Sequence, residues 1–255
     1  MKSPKTDKTE LNLRTFFELF LLLIALAFFL KSVTLDFFVV SSGSMEPTLQ
    51  KKDFILVSRL AYFFGISSKI PFTNIRISDN LKIWYKDPEM KDVIMIDNYI
   101  PSLMNYSEKY LVKRITAVPG DLIFYSSDSF GHLSLYREAP DLFEDEFNSA
   151  IIPAKGTSVR IDNRNIMFYK HILLNENPEL ADNLRDNDYI SSIDTLYTFK
   201  QNHYFVEGDN SGNSLDSRAF GLIPEKSVQG KAIIIYWSLA ESKVTIFDRF
   251  LKFIK

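Results

Sequence analysis

Ser44 and Lys113 are the two side chains of this 255-residue chain whose surroundings suit them for chemistry. Ser44 lies in the stretch Ser41-Ser42-Gly43-Ser44-Met45-Glu46-Pro47-Thr48-Leu49. Gly43 permits a tight bend between two hydroxyl residues, and Pro47 restricts Glu46 to extended geometry. The stretch therefore presents a hydroxyl on a turn. Taken alone, such a serine is ordinarily a solvated loop residue, and its hydroxyl is a poor nucleophile until a neighbouring base removes its proton. Composition narrows the choice of base. The chain has no cysteine, which excludes thiolate catalysis, disulfides and cysteine-held metals. Its three histidines, His132, His171 and His203, sit in no motif, and His203, although close in sequence to Asp209, reads as structural. A lysine can serve if it is neutral. Its free pKa is ~10.4, so well under ~1% is neutral at pH 8, and a downward shift of ~2 units raises that to roughly a quarter at about 2.7 kcal/mol. Burial among apolar groups produces such a shift by penalising the ammonium form. Lys113, with Val112 and Ile115 beside it on a predicted strand, has that setting. Otherwise it is a solvated strand lysine. Arg114 cannot lose its proton and points to the other face of the strand.

The elements that must position these residues are mostly short strands. Phe37-Phe38-Val39-Val40 is an apolar run leading into the Ser44 turn, and Phe54 to Ser58 and Val93 to Ile96 read as strands. Tyr110 to Thr116 carries Lys113 and ends at the turn signal Pro119-Gly120-Asp121. Leu122 to Tyr125, Leu133 to Tyr136, Tyr204 to Glu207 and Ala232 to Trp237 continue the pattern. Repeated short strands between turns predict a mostly β domain. Residues 138–194 differ: they hold twelve acidic and five basic residues, with helical apolar spacing near 166–173, and read as an inserted, partly helical subdomain. The aromatic-rich stretch 60–90 either packs in the core or dips into a membrane interface.

At the N-terminus, an unbroken apolar run from Leu19 to Leu30 is bounded by Glu18 and Lys31. Twelve residues fall short of the roughly 20 that span a bilayer. Adding the flanking residues, with Glu18 and Lys31 snorkelling, gives a span over 14–35. A cleaved leader is the alternative, but no small-x-small site follows and Lys31 stands where one would be expected. Residues 241–255 alternate apolar and basic groups, as in a membrane-surface helix or one docked on its own domain. The net charge of −2, without a basic stripe, gives no reason to expect nucleic acid as a partner.

Three ordered boxes then carry a family resemblance. Ser42-Gly43-Ser44-Met45-x-Pro47-Thr48-Leu49 resembles the nucleophile box of the bacterial type I signal peptidases (leader peptidases). Tyr110 to Asp121 is similar to the family's lysine box, and Gly208-Asp209-Asn210-x-x-Asn213-Ser214-x-Asp216-Ser217-Arg218-x-x-Gly221 to its C-terminal box. The resemblance implies Ser44 as nucleophile and Lys113 as general base, a serine–lysine variant of the triad logic. It implies an oxyanion hole from the Ser44 N–H and the Ser42 hydroxyl. Ser214 is expected to orient the lysine, Asp216 and Arg218 to form a supporting ion pair, and Gly208-Asp209-Asn210 to form the positioning loop. Without the family, that loop is simply a turn rich in asparagine and glycine.

The implied protein is a membrane-bound serine endopeptidase that cleaves signal peptides from exported preproteins, with small side chains before the cut and no metal or cofactor. Its fold class is mostly β: a single N-terminal transmembrane helix, then an antiparallel β catalytic domain with an inserted α+β/β subdomain. The expected boundaries are a cytoplasmic tail at 1–13, an anchor at 14–35, a catalytic domain at 36–136 and 201–240, an insertion at 137–200 and an amphipathic tail at 241–255. The positive-inside rule and the resemblance place it in the bacterial cytoplasmic (inner) membrane, single-pass, with the catalytic domain on the outer or periplasmic face. Partners would be signal peptides, the lipid bilayer and the export machinery. Two other readings are a self-cleaving serine–lysine repressor relative, disfavoured by the apolar N-terminus, and an inactive membrane-anchored peptide-binding β domain. Four departures from the family pattern stand out. Ser41 replaces a frequent proline, Ser211 a frequent arginine, and Lys52 and Lys91 stand where a glycine usually precedes Asp53 and Asp92.

Overall fold

The computed structural model of the chain describes residues 13–65, 82–97, 110–127, 133–136, 148–177, 193–240 and 246–255. Helix α1 (Leu13–Thr34) occupies the expected anchor and runs straight into strand β1 (Leu35–Val39). The described side chains of α1, residues 14–27, include Phe16, Phe17, Leu21, Leu22, Leu23 and Leu26, all exposed. Among the described residues, no helix is long and apolar enough to cross a membrane.

Strand β1 pairs with β2 (Asp53–Ser58), whose strict in–out alternation fits a sheet with one buried face. Two short strands follow, β3 (Phe63–Phe64) and β4 (Ile83–Trp84), which pair with each other. Next come β5 (Val93–Asp97), β6 (Tyr110–Ala117), β7 (Leu122–Ser127), β8 (Leu133–Tyr136), β9 (Asn148–Ile151) and β10 (Ser158–Asp162). Helix α2 (Ile166–Glu176) precedes β11 (Asp194–Thr198) and β12 (His203–Glu207). A helical turn, α3 (Ser217–Phe220), leads to β13 (Ile223–Pro224) and the long β14 (Val228–Ser238). The chain closes with the turn α4 (Ile246–Arg249) and β15 (Lys252–Phe253).

The main sheet runs β1-β2-β14-β5-β6-β12-β13, with β15 added on β14, and every pair is antiparallel. β14 is its spine. Register shifts against β2 and β5 bend this strand, and bulges of that kind raise local twist and curl a sheet. One apolar cluster holds Val40, Met45, Ile55, Val93 and Val112; another holds Tyr62, Ile94, Leu111, Ile115 and Val206. Alternation along β6 thus sends neighbouring residues into different layers. Tyr62 and Phe63 lie in the second cluster and Trp84 packs against it, so these aromatics are core. Phe64 and Tyr85 are exposed, while Ile66, Pro71 and Phe72 lie outside the described residues.

A second unit is built on β8-β7-β9, β10-β11 and α2. Its core joins Ile123 and Tyr125 of β7 to Phe168, Tyr169, Ile172 and Leu173 of α2. The insertion expected at 137–200 is therefore only part of this unit: β7 and β8, expected in the catalytic domain, pair with β9 and within themselves rather than with the main sheet. The physical reason is that period-2 patterning marks a strand but not the sheet it joins. The C-terminal tail also differs from expectation. Residues 246–255 make one helical turn and a two-residue strand on β14 instead of an amphipathic helix.

Lys52 and Lys91 both have φ near the left-handed region, at 72° and 70°. These are the two positions where glycine is usual, and the backbone keeps the conformation that glycine adopts without a Cβ penalty.

Candidate active site

β6 carries Lys113 at the centre of the sheet, opposite Ile94 of β5. Its side chain is only 2% exposed. The Ser44 turn folds back after β1 and is closed by hydrogen bonds from Glu46 N to Gly43 O and from Leu49 N to Met45 O. Met45 and Leu49 are buried beneath it and fix its height. These two supports bring Lys113 Nζ to 2.8 Å from Ser44 Oγ, although 69 residues separate them. Ser214 Oγ lies 3.1 Å from the same amine. Ser42 Oγ is 3.3 Å from Ser44 Oγ.

The loop after β12 locks this arrangement. Asn210 donates from its backbone N–H to Ser44 O at 3.0 Å and from Nδ2 to Gly43 O at 3.1 Å. Gly208 N donates to Asp216 Oδ2 at 3.0 Å. A Cβ added at Gly208 would stand 2.2 Å from Ser214 Oγ and 2.4 Å from Ser44 O, so glycine is needed for this approach. Asp216 is fully buried and is bridged by Arg218 Nε and Nη2, each at 2.8 Å. Burial pushes the Asp216 carboxyl up, but the Arg218, Gly208 and Ser214 hydrogen bonds outweigh it and hold the group below the usual carboxylate range.

Every residue singled out from the sequence falls in this one cluster: Ser42, Ser44, Lys113, Gly208, Asp209, Asn210, Ser214, Asp216 and Arg218. Sequence reasoning gave Arg114 no task. Its guanidinium grips Asp209 through two bonds of 2.7 Å, and so clamps the Gly208–Asn210 loop to β6. Burial raises the Asp209 carboxyl, but the bonds from Arg114 and Thr48 prevail and hold it low. The available signal was a fixed cation next to Lys113 and, in the loop of the third box, an aspartate whose side chain had no partner assigned. His203 takes no part. It is buried beside Glu176, at 3.7 Å, and burial lowers its pKa to about 4 against the pull of that carboxylate. Among the described residues, no cluster of acidic groups or histidines could hold a metal.

Beside Ser44 a cavity of about 10 Å³ is lined by Phe38, Val40, Ser42, Met45, Tyr110 and Leu111. That is room for about one water molecule. The chemistry open to the whole arrangement is acyl transfer at a serine hydroxyl, with a buried amine in place of the usual imidazole.

Comparison with known proteins gives the class a family. The chain belongs to the signal peptidase family, peptidase S26, whose model matches residues 13–133 and 150–237. It is a serine endopeptidase of that family. Signal peptidase I of Pseudomonas aeruginosa is 27% identical over 231 residues, covering 87% of this chain and 71% of that protein. Signal peptidase I of Aquifex aeolicus is 28% identical over 244 residues, covering 87% and 82% respectively. That of Buchnera aphidicola subsp. Baizongia pistaciae is 29% identical over 271 residues, covering 95% and 82%. Among solved structures, a signal peptidase I from Enterococcus faecalis V583 matches at 22% identity, covering 57% of this chain and 97% of that one, with a TM-score of 0.24.

Proposed function

We propose that the protein removes N-terminal signal peptides from exported preproteins, with Ser44 as nucleophile and Lys113 as general base. The observation that carries this reading is the buried Lys113 amine 2.8 Å from the Ser44 hydroxyl. Desolvation disfavours the ammonium form, and the neutral amine accepts the hydroxyl proton along that contact. Ser44 Oγ then bonds to the scissile carbonyl carbon. The Ser44 N–H and Ser42 hydroxyl stabilise the oxyanion, each donor being worth ~2.7–4 kcal/mol. As the C–N bond breaks, Lys113 returns the proton to the departing amine. It next takes a proton from water, whose oxygen attacks the acyl-enzyme carbonyl, and as the bond to Ser44 Oγ breaks it returns that proton to Ser44 Oγ, restoring the hydroxyl and the neutral amine. Ser214 holds the amine toward Ser44, and Asp216 with Arg218 fixes the loop that carries Ser214.

The small cavity beside Ser44 supports a preference for small side chains next to the cut, because larger groups would overpack it. Membrane anchoring is part of the same proposal. Leu19 to Leu30 is apolar throughout, and the described part of α1 exposes large apolar groups on all its faces rather than along one stripe. Phe37 and Val39 of β1 continue that exposed apolar surface from the helix onto the sheet. The lipid partner is the bacterial cytoplasmic membrane, with the catalytic domain outside and the export machinery delivering the substrate.

The test is cleavage of a purified preprotein by the wild type, Ser44→Ala and Lys113→Met. Both variants are expected to lose on the order of 10⁴-fold or more in kcat. Undiminished processing by either one refutes the assignment.

A further inference from the structure

Residues 246–255 lie beyond the part of the chain that the family model matches, yet they reach the nucleophile turn from behind. Arg249, 4% exposed, points into the sheet toward Asp53, which is fully buried. The Asp53 carboxylate accepts from Gln50 N at 2.7 Å, Ser238 Oγ at 2.6 Å and Arg249 Nε at 3.0 Å, and also pairs with Arg249 Nη2. That same Nη2 donates to Thr48 O at 3.0 Å. Thr48 lies at the end of the turn that presents Ser44, and Gln50 follows it before β2. One guanidinium therefore ties the end of that turn and the start of β2 to the tail, and the Asp53 carboxylate carries the link to Ser238 at the end of β14.

A second tie runs from the far end of the tail. Arg114 Nη1 donates to Lys255 O at 2.9 Å, while the rest of its guanidinium holds Asp209, next to Asn210, which grips Ser44 O. Between the two ties the tail is held by β15 on β14 and by Ile254 N donating to Ile233 O at 3.0 Å. Ile254 also packs against the apolar cluster that holds Met45 and Leu49. Beside it, Pro47, Thr48, Lys252 and Phe253 line a cleft of about 650 Å³. The polar part of the coupling to Thr48 runs through the Arg249 guanidinium.

Taking Ser44 and Lys113 as nucleophile and base, we propose that Arg249 is a positioning residue: the C-terminal tail is a strap that sets the height of the Ser44 turn over Lys113. Displacing a reacting group by about 1 Å can cost ~10²-fold in rate, so a turn released at Thr48 O slows chemistry more than it weakens substrate binding.

The experiment compares Arg249→Lys and the double variant Asp53→Asn/Arg249→Met with wild type. The lysine keeps a charge beside Asp53 but lacks the fork that also reaches Thr48 O. The double variant removes both charges, so no buried ion is left unpaired and the fold has a second route to survive. kcat and KM for a preprotein are measured per folded molecule, with the folded fraction taken from circular dichroism at the assay temperature. The expected result in both variants is a fall of roughly 10- to 100-fold in kcat with KM within about twofold. A wild-type kcat per folded molecule in either variant overturns the strap, as does a loss that only tracks the unfolded fraction. Ser44→Ala and Lys113→Met run alongside separate the two levels. If they still process substrate, the serine–lysine assignment itself has failed; if they are dead while Arg249→Lys is unimpaired, the strap alone has failed.

Discussion

Lys113 in the main sheet and Glu176 in the second unit are both buried ionisable groups, and their surroundings are built on opposite principles. Glu176 is ringed by donors: Tyr197 Oη and Lys200 N at 3.1 Å and Gln201 Nε2 at 3.2 Å, with His203 beyond at 3.7 Å. A buried carboxylate so surrounded is a structural junction, since leaving it unpartnered would cost several kcal/mol. The Lys113 amine faces two serine hydroxyls, which can donate to it as readily as accept from it. Such partners suit the proton exchange proposed for Lys113. On that proposal, burial alone does not distinguish the two groups; the character of their neighbours does.

Predictions that sharpen this contrast begin with Ser44→Ala and Lys113→Met, whose loss should exceed all others if the proposed dyad is correct. Gly208→Ala should come next. The new Cβ collides with Ser214 Oγ and Ser44 O, so both partners of Lys113 must shift, and kcat should fall by about 10²-fold. Single-turnover cleavage measures it. On the other side of the comparison, Glu176→Gln should leave kcat within about twofold and lower stability by about 1–3 kcal/mol, read from denaturant melts.

The pH dependence of the second unit follows from His203. Its native pKa is lowered to about 4 by burial, whereas the unfolded chain takes up that proton near the ordinary value of ~6.5. The unfolded state binds more protons between these values, so stability should fall as pH drops from ~6.5 toward 4. Melts of a His203→Gln variant across that window should show a shallower slope. The smallest effect should come from Lys52→Gly and Lys91→Gly, each expected to raise stability by roughly 1 kcal/mol because glycine meets no penalty at positive φ.

Much of the site was legible because its groups keep the residue types and order of the three boxes. Ser44, Lys113, Ser214, Asp216 and Arg218 could be named before any geometry was known. Lys52 and Lys91 were visible as departures, and the structure gives the reason that glycine is usual there. The connections between boxes were not legible. Arg114 with Asp209, and Arg249 with Asp53, pair residues 95 and 196 positions apart, and no local pattern encodes such a meeting. Strand periodicity likewise identified β7 and β8 without revealing that they belong with β9. The tail's apolar and basic alternation suited a helix, but its last residues gain more by adding β15 to β14, where β14 supplies hydrogen-bond partners.

The account turns on the protonation state of one amine. Titration of Lys113 in the full chain, followed by NMR through a label at its Cε, measures that state directly, with Lys113→Met supplying the assignment. A midpoint well below the free value of ~10.4 is the predicted result. An amine that stays charged up to pH 10 and beyond would contradict the account.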